Sequence, residues 1–420
     1  MNFIEAIDDE AGLSRNPRRI HAGGNSGYQA IGLAALWGVS RIVLLGFDMQ
    51  VWAGRRHCHA DHPAPLDNPR DFDIWRERLN VAAIDLVDLG IAVVNCTRIT
   101  ALTCFDRATL DETLPRDAVN VQGMLGLGDN LYQRPFVRAL AAGANVMLRT
   151  PWPQLYADIE NVHAYASGTP LRTQAKNELQ QWRARPIGTD WRRVEASVTA
   201  KAGVRVDYAD RLETSNVHAE MARSFRLIGG PMDMPPLPAC PITTDRPIAL
   251  VRPVTVRHEW FNTARNPRPE YVADVARWLH DAGFYVVSVA DLMRGAEEAQ
   301  APLPICDKAF HKGELDVLQL LALVQSSAAV AGAVGWILPA AIAARVPVFV
   351  ILGGQGGHNA PERLTDASMA LDLVGWGMPD DFCRCTAMRH DCAKGNKRLR
   401  EQFDEWRLRV ARVQSTAVVA

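Results

Sequence analysis

The chain carries almost no net charge. Its 46 Lys and Arg residues meet 47 Asp and Glu, leaving −1, so no field of one sign marks nucleic acid as an obligatory partner. Short of a local basic patch, nucleic acid is not expected. Long apolar runs are also missing. The longest, from Ala328 to Leu352, is broken by Gly332, Gly335, Pro339, Arg345 and Pro347, and no membrane span is expected from it. The N-terminal MNFIEAIDDEAGLSRNP lacks the charged-then-apolar order of a secretory signal, so a cytoplasmic location is expected. In that compartment the 8 cysteines are expected as free thiols by default. No period of 20–50 residues repeats, which excludes a solenoid.

What remains is an ordinary globular composition, 48% hydrophobic and 22% charged over 420 residues. That length exceeds one core and predicts two or three domains. Strands and helices alternate along most of it. A turn (Ile20 to Tyr28), a helix and the strand Arg41 to Asp48 open the chain, followed by a helix through Trp75 to Leu89 and the strand Ile91 to Asn95. Further strands are expected at 145–150, 161–165, 204–207, 248–253, 284–289, 304–306, 328–331 and 346–352, with helices between them. Pro231, Pro235, Pro236, Pro238, Pro241 and Pro247 mark a linker. The expected organisation is a partial α/β module at 1–106, a linker at 107–118, α/β domains at 119–230 and 248–395 joined by the proline-rich 231–247, and a C-terminal helix and tail at 396–420.

The stretch Gln122 to Leu140 is the densest in possible chemistry. A short strand turns through Gly123, Gly126 and Gly128 into a helical pattern of Leu131, Phe136, Val137 and Leu140. Glycines at such a turn admit close backbone approach, and a helix N-terminus favours anions. Asp129 stands at its tip, either as a rigidly held catalytic carboxylate or as a plain helix cap. Gly353-Gly-Gln-Gly-Gly-His358 is a second backbone-rich loop, suited to phosphate or sugar contacts or simply to a turn. Arg172, Lys176, Arg183 and Arg185 give one helix a basic face, a candidate for phosphate but ordinarily just solvated.

Two clusters resemble metal sites. Cys383, Cys385, His390 and Cys392 place three thiols and an imidazole in ten residues, enough for one structural zinc, with a disulfide or free thiols as alternatives. His59, Asp61 and His62, with His57 beside them, lie in a Pro-flanked loop whose spacing matches no standard zinc pattern.

Residues 15–106 resemble the C-terminal half of a 6-hydroxymethylpterin pyrophosphokinase-like domain of phage proteins, itself related to a family of bacterial sialyltransferases. The matching residues are Gly24-Asn25-Ser26-Gly27, Leu45-Gly46-Phe47-Asp48, His59-x-Asp61-His62-Pro63 and Asn95-Cys96-Thr97. The resemblance puts Asn25, Ser26, Gly27 and Asp48 at a nucleotide site. The preceding half of that domain has no counterpart here, so a truncated appendage is expected.

Residues 119–375 resemble the GT-B glycosyltransferases, more narrowly the ADP-heptose:lipopolysaccharide heptosyltransferase family (glycosyltransferase family 9). The resemblance rests on Gly126 to Leu140, on Gly313 to Val324, and on Gly335, Pro339 to Ala344 and Val346-Pro-Val-Phe-Val350. It implies two Rossmann-like domains facing a cleft, and transfer of a sugar from a nucleotide-sugar donor to a hydroxyl of a glycan or other acceptor. It implies Asp129 as general base, with Gly126, Gly128, Asn130, Gln133 and Arg134 on the acceptor side. A family lysine near the donor has its nearest counterpart in Arg265, with Arg257 and Arg252 as fallbacks; Gly335, Trp336, Gly353 and Gly354 complete the donor side. No cofactor is required at such a site. The family's Asp-Thr-Gly-x-x-His is replaced by Ala333-Val-Gly-Trp-Ile-Leu338, which leaves the donor open. A modified phage DNA base as acceptor and a non-catalytic binding or assembly role stand as alternatives.

Overall fold

The computed structural model describes residues 4–7, 11–55, 71–113, 118–183, 202–208 and 211–419. The chain divides into two compact units, Met1–Asp117 with Leu179–Asp190, and Ala118–Glu178 with Trp191–Ala420. His57, His59, Asp61 and His62 lie outside the described residues.

The first unit holds a parallel pair, β1 (Glu5–Ile7) and β2 (Arg19–His21), and a three-stranded parallel sheet of β3 (Arg41–Leu44), β4 (Ala92–Asn95) and β5 (Asp106–Arg107). Helices α1 (Ser26–Leu36) and α2 (Phe72–Asp88) supply Tyr28, Ile31, Leu79 and Leu86 to its core.

The second unit contains two parallel sheets. The first runs β8-β7-β6-β9, from β6 (Ala118–Gln122), β7 (Asn145–Arg149), β8 (Val162–Tyr165) and β9 (Ala202–Arg205). Helices α3 (Leu127–Ala141), α4 (Arg172–Arg183) and α5 (Val217–Phe225) accompany it. The second sheet has six strands in the order β14-β12-β10-β15-β16-β17. These are β10 (Ile248–Arg252), β12 (Tyr285–Val289), β14 (Lys308–Phe310), β15 (Ala329–Ala333), β16 (Val348–Ile351) and β17 (Val374–Gly377). A short antiparallel pair, β11 (Thr255–Arg257) and β13 (Glu297–Ala299), stands apart from it. Helices α6 (Pro269–Asp281), α7 (Val317–Gln325), α8 (Ile337–Ala344) and α9 (Leu399–Val419) complete the unit.

The central strands are apolar along their whole length, as strands covered on both faces must be: every residue of β15 and β16 is buried. Helix ends follow local chemistry. Asp316 and Gln319 form a capping box at α7, and Gly283 takes φ +89° just after α6. Two details depart from the sequence-based expectation. Residues 304–306 are irregular and the edge strand is β14 instead. Strand β17 was not expected, because Val-Gly-Trp-Gly reads as a turn. Its glycines make room for α9: a Cβ on Gly375 would lie 2.4 Å from the Trp406 ring and one on Gly377 2.9 Å from Leu399. Helix α9 thereby buries Leu399, Phe403 and Trp406 against Phe349 of the second sheet.

One apolar core runs through both sheets of this unit, from Leu131 and Phe136 of α3 to Ile337, Leu338 and Ala341 of α8. The two halves therefore meet through packed helices, and any cleft begins where that packing ends. No helix among the described residues is long and apolar enough to cross a membrane.

Candidate functional site

The glycine turn is built from inside. Gly126 is the N-cap of α3 in extended conformation. Asn130 and Gln133, both fully buried, brace the loop before it. The Asn130 side chain donates to the carbonyls of Met124 and Gly126, each at 2.8 Å. Gln133 accepts from the Met124 N–H at 3.0 Å and donates to Tyr156 at 2.7 Å. Thr150 adds a 2.7 Å bond to Asn130. Arg134 is fully buried as well. Its guanidinium bonds Asp158 at 2.9 and 2.7 Å and Asp233 at 3.0 Å, beside Arg138. These three polar side chains hold the turn and its helix; their hydrogen-bonding groups face inward. Arg134 Nε and Asp233 Oδ1 are left without a partner, but the remaining bonds hold the turn in one arrangement.

Asp129 is the third residue of α3, where an acidic side chain can reach back to the N-cap. The Gly126 backbone bonds its carboxylate. The hydroxyl of Tyr208, three residues past the end of β9, donates to the other oxygen, Oδ1. Burial pushes the Asp129 carboxyl above the ordinary range, against the lowering effect of Tyr208, of the Arg265 charge and of the Gly126 backbone. Burial and the facing carboxylate hold the Tyr208 hydroxyl well above its usual value, so it stays a donor.

Arg265, whose charge acts on this carboxylate, belongs to a group of arginines in the second half of the unit. Arg252 ends β10, Arg257 ends β11, and Arg265 stands in the loop before α6. Glu297, on β13 and 3% exposed in its side chain, lies 2.7 Å from Arg257 and 3.5 Å from Arg252, and accepts from Thr255 at 2.9 Å. Arg172 of α4 adds a contact at 3.6 Å to Glu297 and one at 3.2 Å to Asp291. Arg265 has no carboxylate within ion-pairing distance among the described residues; its guanidinium lies over the Trp260 ring, 5.3 Å from the centroid. Burial lowers the pKa of Arg265, with Arg257 acting in the same direction and Asp129 and Glu297 opposing. Arg252 is brought down to about 10 by burial, Glu297 opposing and the two neighbouring arginines contributing. Three clustered guanidiniums against Glu297 and Asp129 leave a local positive excess, which an anionic ligand would offset.

The two helix N-termini meet here. A Cβ on Gly128 would lie 3.1 Å from the Cα of Trp336 and 3.3 Å from Pro339, so a larger residue here would press α3 and the start of α8 apart by a few tenths of an ångström. Trp336 is the residue before α8 and packs partly on the shared core. Gly335 lies beside Arg252, 3.4 Å from an added Cβ. The positive ends of two helix dipoles thus join the arginines. Gly353 and Gly354 follow β16 at the same sheet edge. Their lack of side chains is explained by packing: an added Cβ would meet the Asn266 carbonyl at 2.1 Å and Cys392 at 2.4 Å respectively. All of these groups stand at or beyond the carboxyl ends of parallel strands, where ligands bind in open α/β sheets.

In the first unit, Asn25 is the N-cap of α1, accepting from the Tyr28 N–H at 2.8 Å. Ser26 begins that helix, and Gly27 lies against Phe47. Asp48 accepts from the Met49 N–H at 3.1 Å. Cys383, Cys385, His390 and Cys392 converge, with one ligand atom from each within 4.8 Å of all the others.

Sequence reasoning missed Tyr208, Glu297, Trp260 and the pairing of Arg172. Tyr208 follows a recognised strand at its carboxyl end, but its partner Asp129 is 79 residues away and no local signal joins them. Glu297 gave no signal, because its strand is short and its arginine partners are remote in sequence.

No protein-family model matches the chain, and no curated protein matches it. Among solved structures, the iron-containing dodecameric glycosyltransferase TibC from enterotoxigenic E. coli is similar at TM-score 0.47 and 13% identity, over 71% of this chain and 77% of that one. The ADP-heptose lipopolysaccharide heptosyltransferase II of E. coli gives 0.41 and 14%, over 71% and 99%. A glycosyl transferase of family 9 from Veillonella parvula gives 0.40 and 12%, over 63% and 86%.

Proposed function

We propose that this chain is a cytoplasmic GT-B glycosyltransferase that moves a sugar from a nucleotide-diphosphate sugar to a hydroxyl group, with Asp129 as general base. The observation that carries the reading is the electrostatic coupling, at a junction of two helix N-termini, of Asp129 in the first half with Arg265 in the second, which has no ion-pair partner among the described residues. An ionised carboxylate has about four lone-pair sites. Two are engaged by Tyr208 and the Gly126 backbone, which leaves capacity for an acceptor hydroxyl. As that hydroxyl oxygen bonds to the anomeric carbon, its proton passes to Asp129. The bond from the anomeric carbon to the diphosphate oxygen breaks, and its electron pair leaves with the diphosphate. Arg265, Arg257 and Arg252 with the start of α8 would hold that developing charge, as fixed cations do without reorganisation. Gly335, Trp336, Gly353 and Gly354 line the same edge. For the first unit we propose a pyrophosphokinase-like module, its Asn25, Ser26, Gly27 and Asp48 serving turn and cap.

The test is thermal shift against UDP-, GDP-, ADP- and CMP-sugars, followed by turnover of whichever stabilises. Asp129→Asn is expected to keep donor binding and lose roughly 100-fold or more in transfer rate, and Arg265→Ala to lose donor binding. The replaced donor motif and the Tyr208 hydroxyl on Asp129 favour a non-catalytic binding role as second reading. Donor binding without transfer to any hydroxyl, glucosylatable modified DNA included, would select it. No response to any nucleotide would remove both.

A further inference from the structure

Between β17 and α9 the chain runs without regular secondary structure from 378 to 396. Met378 and Phe382 pack on the core at its start; further on, Met388 is 53% exposed, and Arg384 and Arg389 lie over the Phe382 and Phe261 rings. Four side chains nevertheless turn toward one another. The Cys385 and Cys392 sulfurs are 3.6 Å apart, Cys383 Sγ is 3.5 Å from His390 Nδ1, and that nitrogen is 3.2 Å from Cys392 Sγ. A tetrahedral ion with metal–sulfur bonds of about 2.3 Å sets its ligand atoms roughly 3.4–3.8 Å apart. Two of the three separations fall within that range and the third, 3.2 Å, lies just below it; all four ligand atoms lie within 4.8 Å of one another. These separations are far longer than the S–S bond of about 2.0 Å that a disulfide requires. The Cys₃His set is also chemically apt, three thiolates and an imidazole suiting zinc or iron above harder ions.

What surrounds this cluster gives it a task. The Cys383 carbonyl accepts from the Gly356 N–H at 2.7 Å, and the Cys385 carbonyl from the Gly357 N–H at 3.1 Å. The Thr386 carbonyl accepts from Gln355 Nε2 at 2.8 Å, while Gln355 Oε1 accepts from Asn262 at 2.8 Å. The Met388 carbonyl accepts from the Ala264 N–H at 3.1 Å, and Lys394 donates to the Thr263 carbonyl at 2.8 Å. Gly354 is pressed between Cys392 and the Ala264 carbonyl, its added Cβ meeting them at 2.4 and 2.8 Å. The loop of 383–394 is thus a frame to which the 353–357 loop and the 262–265 loop are both bonded, and the second of these carries Arg265.

We propose that Cys383, Cys385, His390 and Cys392 bind one tetrahedral transition-metal ion of the zinc class, and that this ion is a positioning device for the Arg265 loop and the glycine loop. Binding releases the thiol protons to solvent and forms metal–sulfur bonds, with no change of oxidation state required. The value of Arg265 to a donor rests on the function proposed above; the mechanical link does not, and it is measured without any nucleotide.

The experiment is elemental analysis of the purified full chain, then hydrogen–deuterium exchange before and after stripping with a high-affinity chelator. About one zinc or iron per chain is expected. Stripping should accelerate exchange roughly tenfold or more in peptides over 260–267 and 353–360, as well as 380–394. Peptides over 118–149 serve as the control for global unfolding. In parallel, Asn262→Ala cuts one tie without touching a ligand. It should retain its metal yet lose protection at 260–267 and not at 380–394. Should the stripped protein unfold throughout, this variant decides. Substoichiometric metal, a Cys385–Cys392 disulfide by mass spectrometry, or unchanged exchange at 260–267 in stripped protein or in Asn262→Ala would each overturn the proposal.

Discussion

The contact at Gly128 fixes how the two halves of the second unit meet, and it admits a test with a definite sign. Gly128 is the second residue of α3 and has no positive φ, so alanine fits its backbone. In the absence of a neighbour, Gly→Ala there should stabilise by about 0.5–1 kcal/mol, because the unfolded chain loses freedom. The neighbour is present. An added Cβ would lie 3.1 Å from the Cα of Trp336 and 3.3 Å from Pro339, against the roughly 3.5–4.0 Å at which carbons rest comfortably. Backbone is the obstacle, so rotamer change offers no relief, and overpacking of this kind costs about 1–3 kcal/mol. The clash outweighs the entropic gain, and Gly128→Ala should destabilise by roughly 0.5–2 kcal/mol, or about 2 °C in Tm per kcal/mol. It should also slow transfer about tenfold, since Asp129 is the next residue and an ångström of misplacement can cost about 100-fold. Gly143→Ala, where an added Cβ meets nothing, is the control and should be near neutral. Calorimetry and a transfer assay read both effects. A Gly128→Ala protein as stable and as fast as wild type would show that α3 and α8 do not touch in the working molecule.

Two further substitutions probe the base and its helix. Tyr208→Phe removes a donor that lowers the Asp129 pKa, so the pKa, already raised by burial, should rise further. A base works ionised, and the acid limb of kcat/KM should therefore move to higher pH; a limb that stays or moves down would refute the assigned contact. Arg134→Ala leaves Asp158 and Asp233 with only Arg138 between them. Because Arg134 is fully buried, the loss by denaturant unfolding should be about 3–5 kcal/mol. A loss below about 1 kcal/mol would mean the cluster is not formed as described.

Much of this molecule was readable before its structure, and for physical reasons. Strands such as Ile248 to Arg252 and Val348 to Ile351 announce themselves because both faces are covered and every position must be apolar. The turn into α3 was readable because a strand end, three glycines and a helical period lie within one short stretch. Asn130, Gln133 and Arg134 were placed on the acceptor side by the family resemblance alone. Their burial depends on Tyr156, Asp158 and Asp233, which reach them only through the fold. Tyr208 meets Asp129 across 79 residues, and no local pattern carries that. The glycines at 353–357 were legible as a loop, but their cause was not: the crowding comes from backbone and from Cys392, both remote in sequence.

A proline-rich joint between two halves suggests a hinge. Its near end here is not free to act as one, because Asp233 is riveted to α3 by Arg134 at 3.0 Å and by Arg138 at 2.5 Å. Pro235, Pro236 and Pro238 follow at once, each with its φ locked near −65°. Such a segment behaves as a lever arm. A tilt of the arginine-bearing half would be handed through the prolines to α3, the helix on which Asp129 sits, and so Asp129 and the arginines would be geared to move together.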